Sequence, residues 1–194
     1  SGFWAAVPFA AAGGSRTTEL GWRLGLDDGT MRDGSLGALA IEVGTGVPRG
    51  AGGTGGEARV TICLASYNPE PGFFAEQIDS LIAQEHQTWC CIVSDDGSTP
   101  DRLRAIRAIA ERDPRIRVVA HAEHLGHYGN FARALAEVPA DADFVALSDQ
   151  DDVWYPDKLR RILAAFGADT TLVYADVDVV TSDRSPVTST YWTT

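Results

Sequence analysis

From Arg59 onward the chain alternates two periodicities that cannot belong to one kind of element. Arg59-Val-Thr-Ile-Cys-Leu64, Cys90-Cys-Ile-Val93, Ile116-Arg-Val-Val-Ala120, Phe144-Val-Ala-Leu147 and Leu172-Val-Tyr-Ala175 are short apolar or β-branched runs with the length of buried strands. Between them the apolar residues recur at helical spacing. Phe74, Ile78, Leu81 and Ile82 form one such stripe. Leu103, Ile106 and Ala110 form the next, behind Thr99 as a cap, Pro100 at the first helical position and Asp101 in the first turn. Two more helices are predicted over 129–137 and 156–166. Strands and helices in strict alternation predict the α/β class, with a Rossmann-like parallel sheet covered by helices on both faces.

Upstream of this alternation the composition changes. Fifteen of the 20 glycines fall in residues 1–56, and the last of them sit in Arg49-Gly-Ala-Gly-Gly-Thr-Gly-Gly56, which reads as a flexible linker over 49–57. The expected organisation is therefore a segment 1–48 without a readable role, the linker, and a domain 58–194. Short alternating runs at 19–26 and 36–43, set off by Asp27-Asp28-Gly29 and Asp33-Gly34 turns, make the first segment β-rich. The apolar run 3–12 is far shorter than the ~20 residues that cross a bilayer, so no transmembrane segment is predicted. The chain starts at Ser1 and its one methionine is Met31, which reads as a piece cut from a longer protein. Sixteen Lys and Arg against 27 Asp and Glu leave a net charge of -11, which excludes nucleic acid as a partner. Cys63, Cys90 and Cys91 are an odd number in apolar surroundings and read as reduced core thiols of a cytosolic protein, with Cys90 and Cys91 on opposite faces of a strand.

In sheets of this kind ligands collect beyond the carboxyl ends of the strands. Three polar clusters fall there: Ala65-Ser-Tyr-Asn68, Ser94-Asp-Asp-Gly-Ser-Thr99 and Ser148-Asp-Gln-Asp-Asp152. Turn chemistry alone accounts for each acidic cluster taken singly. Five aspartates brought to neighbouring strand ends, however, repel one another unless a cation or hydrogen-bond donors compensate them. Asp149 and Asp151 offer hard oxygen ligands of the kind that Mg²⁺ or Mn²⁺ takes together with substrate phosphates. A calcium loop does not fit, because the sixth position from Asp149 is Trp154 and not glycine. One of Asp95 and Asp96 suits a base or ribose, and Tyr67 suits either a core position or a platform for a base.

These motifs, Val60-Thr-Ile-Cys-Leu-Ala-Ser-Tyr-Asn68, Asp95-Asp-Gly-Ser-Thr99 and Ser148-Asp-Gln-Asp-Asp-Val-Trp154 followed by Pro156 and Lys158-Leu159, resemble the family-2 glycosyltransferases of the GT-A fold. The closest resemblance is to the rhamnosyltransferase-like members that build bacterial surface polysaccharide, and it covers about 58–194. It implies a metal-dependent inverting glycosyltransferase moving a sugar from a UDP- or dTDP-sugar to a glycan or lipid-linked acceptor. By the resemblance, Ala65, Tyr67, Asp95, Asp96, Asn130 and Asp149 line the nucleotide-sugar site. Tyr67 packs on the base, Asp96 takes its imide edge, Asp149 holds the ribose, and Asp151 with Asp149 binds Mn²⁺ or Mg²⁺. The metal would neutralise the charge of the departing diphosphate.

The resemblance also has gaps. Many relatives carry Asn-Leu-Gly where this chain has His124-Leu-Gly126. His121, His124 and His127 read as a polar loop and not as zinc ligands. Asp176 and Asp178 look structural, and the catalytic base is expected beyond Thr194, in an acceptor half. The expected setting is cytoplasmic, at the inner face of the membrane, with any peripheral association made by regions outside this chain. The competing readings are a non-catalytic nucleotide-sugar or glycan-binding module and a Mg-dependent nucleotidyltransferase. Against the latter, the chain has one lysine, Lys158, and no Gly-Lys-Ser/Thr phosphate loop.

Overall fold

A computed structural model describes residues 57–167, 170–175, 177–181 and 185–188, and the backbone alone of 6–8, 18–25 and 31–39. The strands are β1 (Ala6–Pro8), β2 (Thr18–Gly25), β3 (Met31–Leu39), β4 (Val60–Ser66), β5 (Trp89–Asp95), β6 (Ile116–Ala120), β7 (Phe144–Ser148), β8 (Val179–Val180) and β9 (Pro186–Thr188). The helices are α1 (Pro71–Ile82), α2 (Pro100–Ala110), α3 (Gly126–Ala136) and α4 (Lys158–Ala164). The main sheet runs β1-β7-β4-β5-β6. Its β4, β5, β6 and β7 are parallel, and β1 joins the β7 edge antiparallel. This is the parallel α/β sheet that the alternation predicts.

The period-2 geometry of the strands sorts their side chains into two layers. Val60, Ile62 and Leu64 of β4, Cys91 and Val93 of β5, and Phe144 and Ala146 of β7 face Phe74, Ile78 and Leu81 of α1, Ile106 and Ala110 of α2, and Leu159 and Ile162 of α4. On the opposite face, Cys63 and Val145 pack with Ala134 of α3. Cys91 belongs to the first layer, while the Cys90 sulfur lies 3.5 Å from Thr61 Oγ1. All three cysteines are free, and burial pushes the Cys63 thiol up to about 12. Cys63 and Cys91 are inert core residues, while Cys90 is half-buried.

Several expectations are corrected. Helix α3 starts at Gly126, three residues ahead of the predicted 129, because its first amides are capped from a distant loop and not by a local side chain. Helix α4 is confined to Lys158–Ala164 within the predicted 156–166, with 156 and 157 in a turn. The run 172–175 is not a strand: Val173 makes a single bridge, and Leu172 and Tyr174 are exposed. The next strand pairing is instead the short β8–β9 ladder. Asp33-Gly34 is not a turn but lies inside β3, opposite Arg23 and Trp22 of β2. The Asp27-Asp28-Gly29 turn, residues 49–56 of the predicted linker, Asp176 and 189–194 lie outside the described residues. Among the described residues, no helix is long and apolar enough to cross a membrane.

Candidate functional site

The loops after β4, β5 and β7 meet at one rim, and hydrogen bonds sew them together. The Asp96 amide donates to the Ser66 carbonyl at 2.9 Å, the Asn68 amide to Ser98 Oγ at 2.7 Å, and the Thr99 amide to Asn68 Oδ1 at 2.9 Å. Asn68 takes a left-handed φ of 45°, a conformation that its short amide side chain tolerates, and Gly97 supplies φ 81° for the turn after Asp96. The Tyr67 amide donates to Gln150 Oε1 at 2.8 Å, which ties the end of β4 to the acidic loop after β7.

Asp96 is 1% exposed and held by the protein. Its Oδ1 accepts the Leu125 amide at 2.9 Å and Arg133 at 3.3 Å, and its Oδ2 accepts the Gly126 amide at 2.8 Å. His124 Nδ1 lies 2.8 Å from Oδ2 and hydrogen-bonds the Asp96 backbone carbonyl at 3.1 Å. The charge sits at the N-terminus of α3, where the helix dipole favours it. His124 completes the arrangement by lying on Tyr67, with ring centroids 4.1 Å apart and planes tilted by 33°. Asp95 is also buried; its Oδ2 accepts the Ser98 amide at 3.1 Å, while Oδ1 has no partner. Asn130 is buried and its Nδ2 donates to the carbonyls of Ser66 and Ser94 at 3.1 and 2.9 Å, so it clamps the ends of β4 and β5 together. Ala65 is buried in β4, in register with Ser94.

The second acidic loop is the reverse. Burial and the neighbouring Asp151 carboxylate push Asp149 up to about 6. Burial, Asp151 and Asp149 do the same to Asp152, also to about 6, with Lys158 opposing. The Asp152 Oδ2 is buried and accepts no hydrogen bond, and Asp151 is exposed. Lys158 lies 4.2 Å from the Trp154 ring, and its burial pulls it down to about 8. His127 Nδ1 stands 3.7 Å from Asp149 Oδ1 and packs edge-on against Phe131, its burial holding it below the usual histidine value. Crowded carboxylates without donors are what a divalent cation relieves.

A row of polar residues on and just past α1 holds this loop in place, and the sequence reading passed over it. Gln77 Nε2 donates to Ser148 Oγ at 2.7 Å, and Ser80 Oγ accepts the Trp154 amide at 3.0 Å. Gln84 Nε2 donates to the Tyr155 carbonyl at 2.8 Å, and its Oε1 accepts the Leu159 amide at 3.0 Å. Gln77 and Ser80 fall on the inward side of α1, interleaved with Phe74, Ile78 and Leu81, and Gln84 is buried just past its C-cap Ala83. Polar residues at spacings of three and seven along an apolar stripe are the signal that could have found them. Asp178 accepts a hydrogen bond from the Tyr155 hydroxyl at 2.6 Å.

The structure thus gathers Tyr67, Asp95, Asp96 and the acidic loop at one rim, but gives Asn130 a buried clamping position behind it. The three histidines diverge: His121 to Ser94, His124 to Asp96 and His127 to Asp149. Among the described residues, no group of three or more His, Cys, Asp or Glu side chains is placed to hold a metal. The acidic loop therefore supplies too few ligands for an all-protein cage, but its hard oxygens and the orphaned Asp152 Oδ2 fit Mg²⁺ or Mn²⁺ sharing its remaining positions with phosphate and water. Cavities of about 460 and 250 Å³ lie at the amino ends of the strands, beside Ile116 and Val60, and neither is lined by Tyr67 or the acidic loop.

The acidic, donor-poor loop at the carboxyl rim of this parallel α/β sheet lies where ligands of open α/β sheets bind, and sequence comparison gives the family. The chain belongs to glycosyl transferase family 2, whose model matches residues 61–193. The succinoglycan biosynthesis protein ExoW of Rhizobium meliloti (strain 1021) is 33% identical over 102 residues, covering 53% of this chain and 32% of ExoW. The dTDP-rhamnosyl transferase RfbG of Shigella flexneri is 32% identical over 103 residues, covering 52% of this chain and 35% of RfbG. The mannosyltransferase PcManGT from Pyrobaculum calidifontis, solved in complex with GDP-Man and Mn2+, is 26% identical with a TM-score of 0.47, over 54% of this chain and 31% of that one. The match spans about a third of the length of these relatives.

Proposed function

We propose that residues 58–194 form the donor-binding part of a metal-dependent inverting glycosyltransferase that takes a sugar from a UDP- or dTDP-sugar to a glycan or lipid-linked acceptor in bacterial surface polysaccharide synthesis. The observation that carries this reading is the Asp149–Asp152 loop at the carboxyl rim of the sheet, whose carboxyls are crowded and donor-poor, with Asp149 and Asp152 pushed up to about 6. Family membership and the polysaccharide relatives support the sugar as cargo.

In this reading Tyr67 presents an aromatic face to the base and Asp96 accepts its imide N–H. Ala65 lines the strand end beneath it, with Asp95 beside it. Asn130 acts from behind, by keeping β4 and β5 in register at the rim. Asp149 takes the ribose hydroxyls, and Asp151 with Asp149 would hold Mn²⁺ or Mg²⁺, which supplies positive charge for the departing diphosphate. The polar row on and just past α1 keeps the loop from collapsing inward when it is empty.

Calorimetric titration of the chain with UDP and with dTDP, with and without Mn²⁺, tests the reading. Binding is expected only with the metal, and Asp151→Ala should weaken it by about 100-fold, the worth of a charge-assisted contact. Equal binding without metal, or by Asp151→Ala, sinks the proposal.

A further inference from the structure

The Tyr67 face and the Asp96 carboxylate are not vacant in the free protein. His124 lies on the one, with centroids 4.1 Å apart, and its Nδ1 stands 2.8 Å from the other. The hydrogen bond of that Nδ1 goes to the Asp96 carbonyl oxygen, at 3.1 Å. A carbonyl only accepts, so Nδ1 carries the proton. The side chain thus sets a flat ring on Tyr67 with an in-ring N–H directed at the Asp96 backbone and its edge against the carboxylate. Those are the two places a uracil or thymine base would use: the Tyr67 face for stacking and the Asp96 carboxylate for its imide N–H.

Occupation by both at once is excluded. The tyrosine face toward His124 is covered, and the imidazole stands 2.8 Å from Asp96 Oδ2, in the space a base edge would need, while Arg133, Leu125 and Gly126 hold the carboxylate. Of these three donors, Leu125 and Gly126 are backbone at the start of α3, and Arg133 is further fixed by the Glu123 carbonyl at 2.7 Å. His124 is the group that can leave. Its side chain is 52% exposed and it precedes Gly126, whose φ of 78° gives the chain a turning point there. Its departure opens the Tyr67 face and the approach to Asp96 Oδ2, while the three donors keep the carboxylate in place.

We infer that His124 is a resident stand-in for the nucleobase, and that a pyrimidine nucleoside diphosphate enters by displacing this imidazole from Tyr67 and Asp96. The inference rests on the donor-binding reading above and adds a competitor built into the site. It makes the apparent affinity for nucleotide the intrinsic affinity reduced by the fraction of molecules in which His124 has swung out. Residue 124 thereby sets how hard the base must compete, and it selects for ligands with a ring N–H that can replace the imidazole.

The test compares UDP binding, in saturating Mn²⁺, by the wild-type chain and by His124→Ala. His124→Ala should bind UDP roughly ten-fold more tightly, as expected when a stand-in that fills the site in about nine molecules of ten is removed. In the wild-type protein, the His124 ring protons, shifted by the Tyr67 ring current, should move toward free-histidine positions as UDP saturates. That second measurement needs no variant to fold. If the wild type binds UDP while His124→Ala binds it no better, or if the His124 resonances stay in place at saturation, His124 is not a competitor and only this inference falls. If neither protein binds UDP or dTDP, the donor-binding reading falls and takes the inference with it.

Discussion

Asp96 and Asp149 follow β5 and β7, the two strands that flank β4, and they stand at the same rim of the sheet. Asp96 is the more deeply buried, yet its carboxylate has three donors, a guanidinium and two amides at the start of a helix, with an imidazole 2.8 Å away. Asp149 has a distant imidazole at 3.7 Å and a like charge beside it, and its carboxyl is pushed up to about 6. Depth of burial therefore does not mark the carboxylate that awaits a ligand. The deficit of donors does. The Asp96 carboxylate is given donors by the protein; Asp149 is left for something that arrives with positive charge.

The contrast can be broken most decisively at Asp96. Replacing it by alanine strips partners from Arg133 and from the capped amides of α3 together, and breaking such a buried pair costs about 3 kcal/mol. The half-exposed His124 adds little to that cost, since water can replace its contact with the carboxylate. Urea unfolding of Asp96→Ala measures it, and a loss under about 1 kcal/mol, within the range of an ordinary surface change, would show that the carboxylate is not the keystone of the α3 cap.

The acidic loop should respond with the opposite sign. Asp151 helps to raise both Asp149 and Asp152, so Asp151→Asn relieves the folded state of repulsion, and without metal it should melt no lower than wild type, with a gain of at most about 1 kcal/mol. The pH dependence follows from the same displacement. A carboxyl that titrates at about 6 when folded but near its ordinary 3.8 when unfolded contributes stability that is complete below 3.8 and lost as pH rises through 6. Acidifying from pH 7 toward 5 should therefore stabilise the metal-free protein and weaken its hold on Mn²⁺. His127, held below its usual value, works against the first effect, so the quantity to measure is the difference between wild type and Asp151→Asn. A pH profile of stability identical in the two proteins would show that Asp151 does not couple to its neighbours.

Much of this was legible because it is written locally. β6 coincides with the run Ile116 to Ala120, and β4, β5 and β7 extend their predicted cores by one or two residues toward the rim. Rim residues such as Ser66, Asp95 and Ser148 look like loop in the sequence because they are polar, but they still satisfy the ladder. The errors are those of long-range satisfaction. α3 begins at Gly126 because Asp96, 29 and 30 residues away from the amides it caps, does what no neighbouring side chain does. The run 172–175 has the composition of a strand, but composition does not supply a partner edge, and Tyr174 and Leu172 face solvent. At the site, the three motifs name the residues of the rim but not their partners. Nothing local distinguishes Asp96, held by Arg133 and the amides at the start of α3, from Asp149, left short.

The smallest expected effect sharpens the contrast from within the loop after β5. Thr99 has the sequence of an N-cap, Thr-Pro-Asp at the head of α2, and such caps are ordinarily worth about 1 kcal/mol. Its side chain makes no capping bond, however, and it is exposed; the loop is closed instead by the Thr99 amide on Asn68 Oδ1 and by the Asn68 amide on Ser98 Oγ. Thr99→Ala should then change unfolding free energy by less than about 0.5 kcal/mol, as at an indifferent surface position. Asn68→Ala removes an acceptor from that amide and places a less tolerant side chain at φ 45°, so it should cost more than the cap it displaces. If urea unfolding reverses that order, the loop after β5 is held by its hydroxyl cap and not by the cross-strand ties to β4, and the claim that the protein holds this loop through contacts distant in sequence loses its simplest local support.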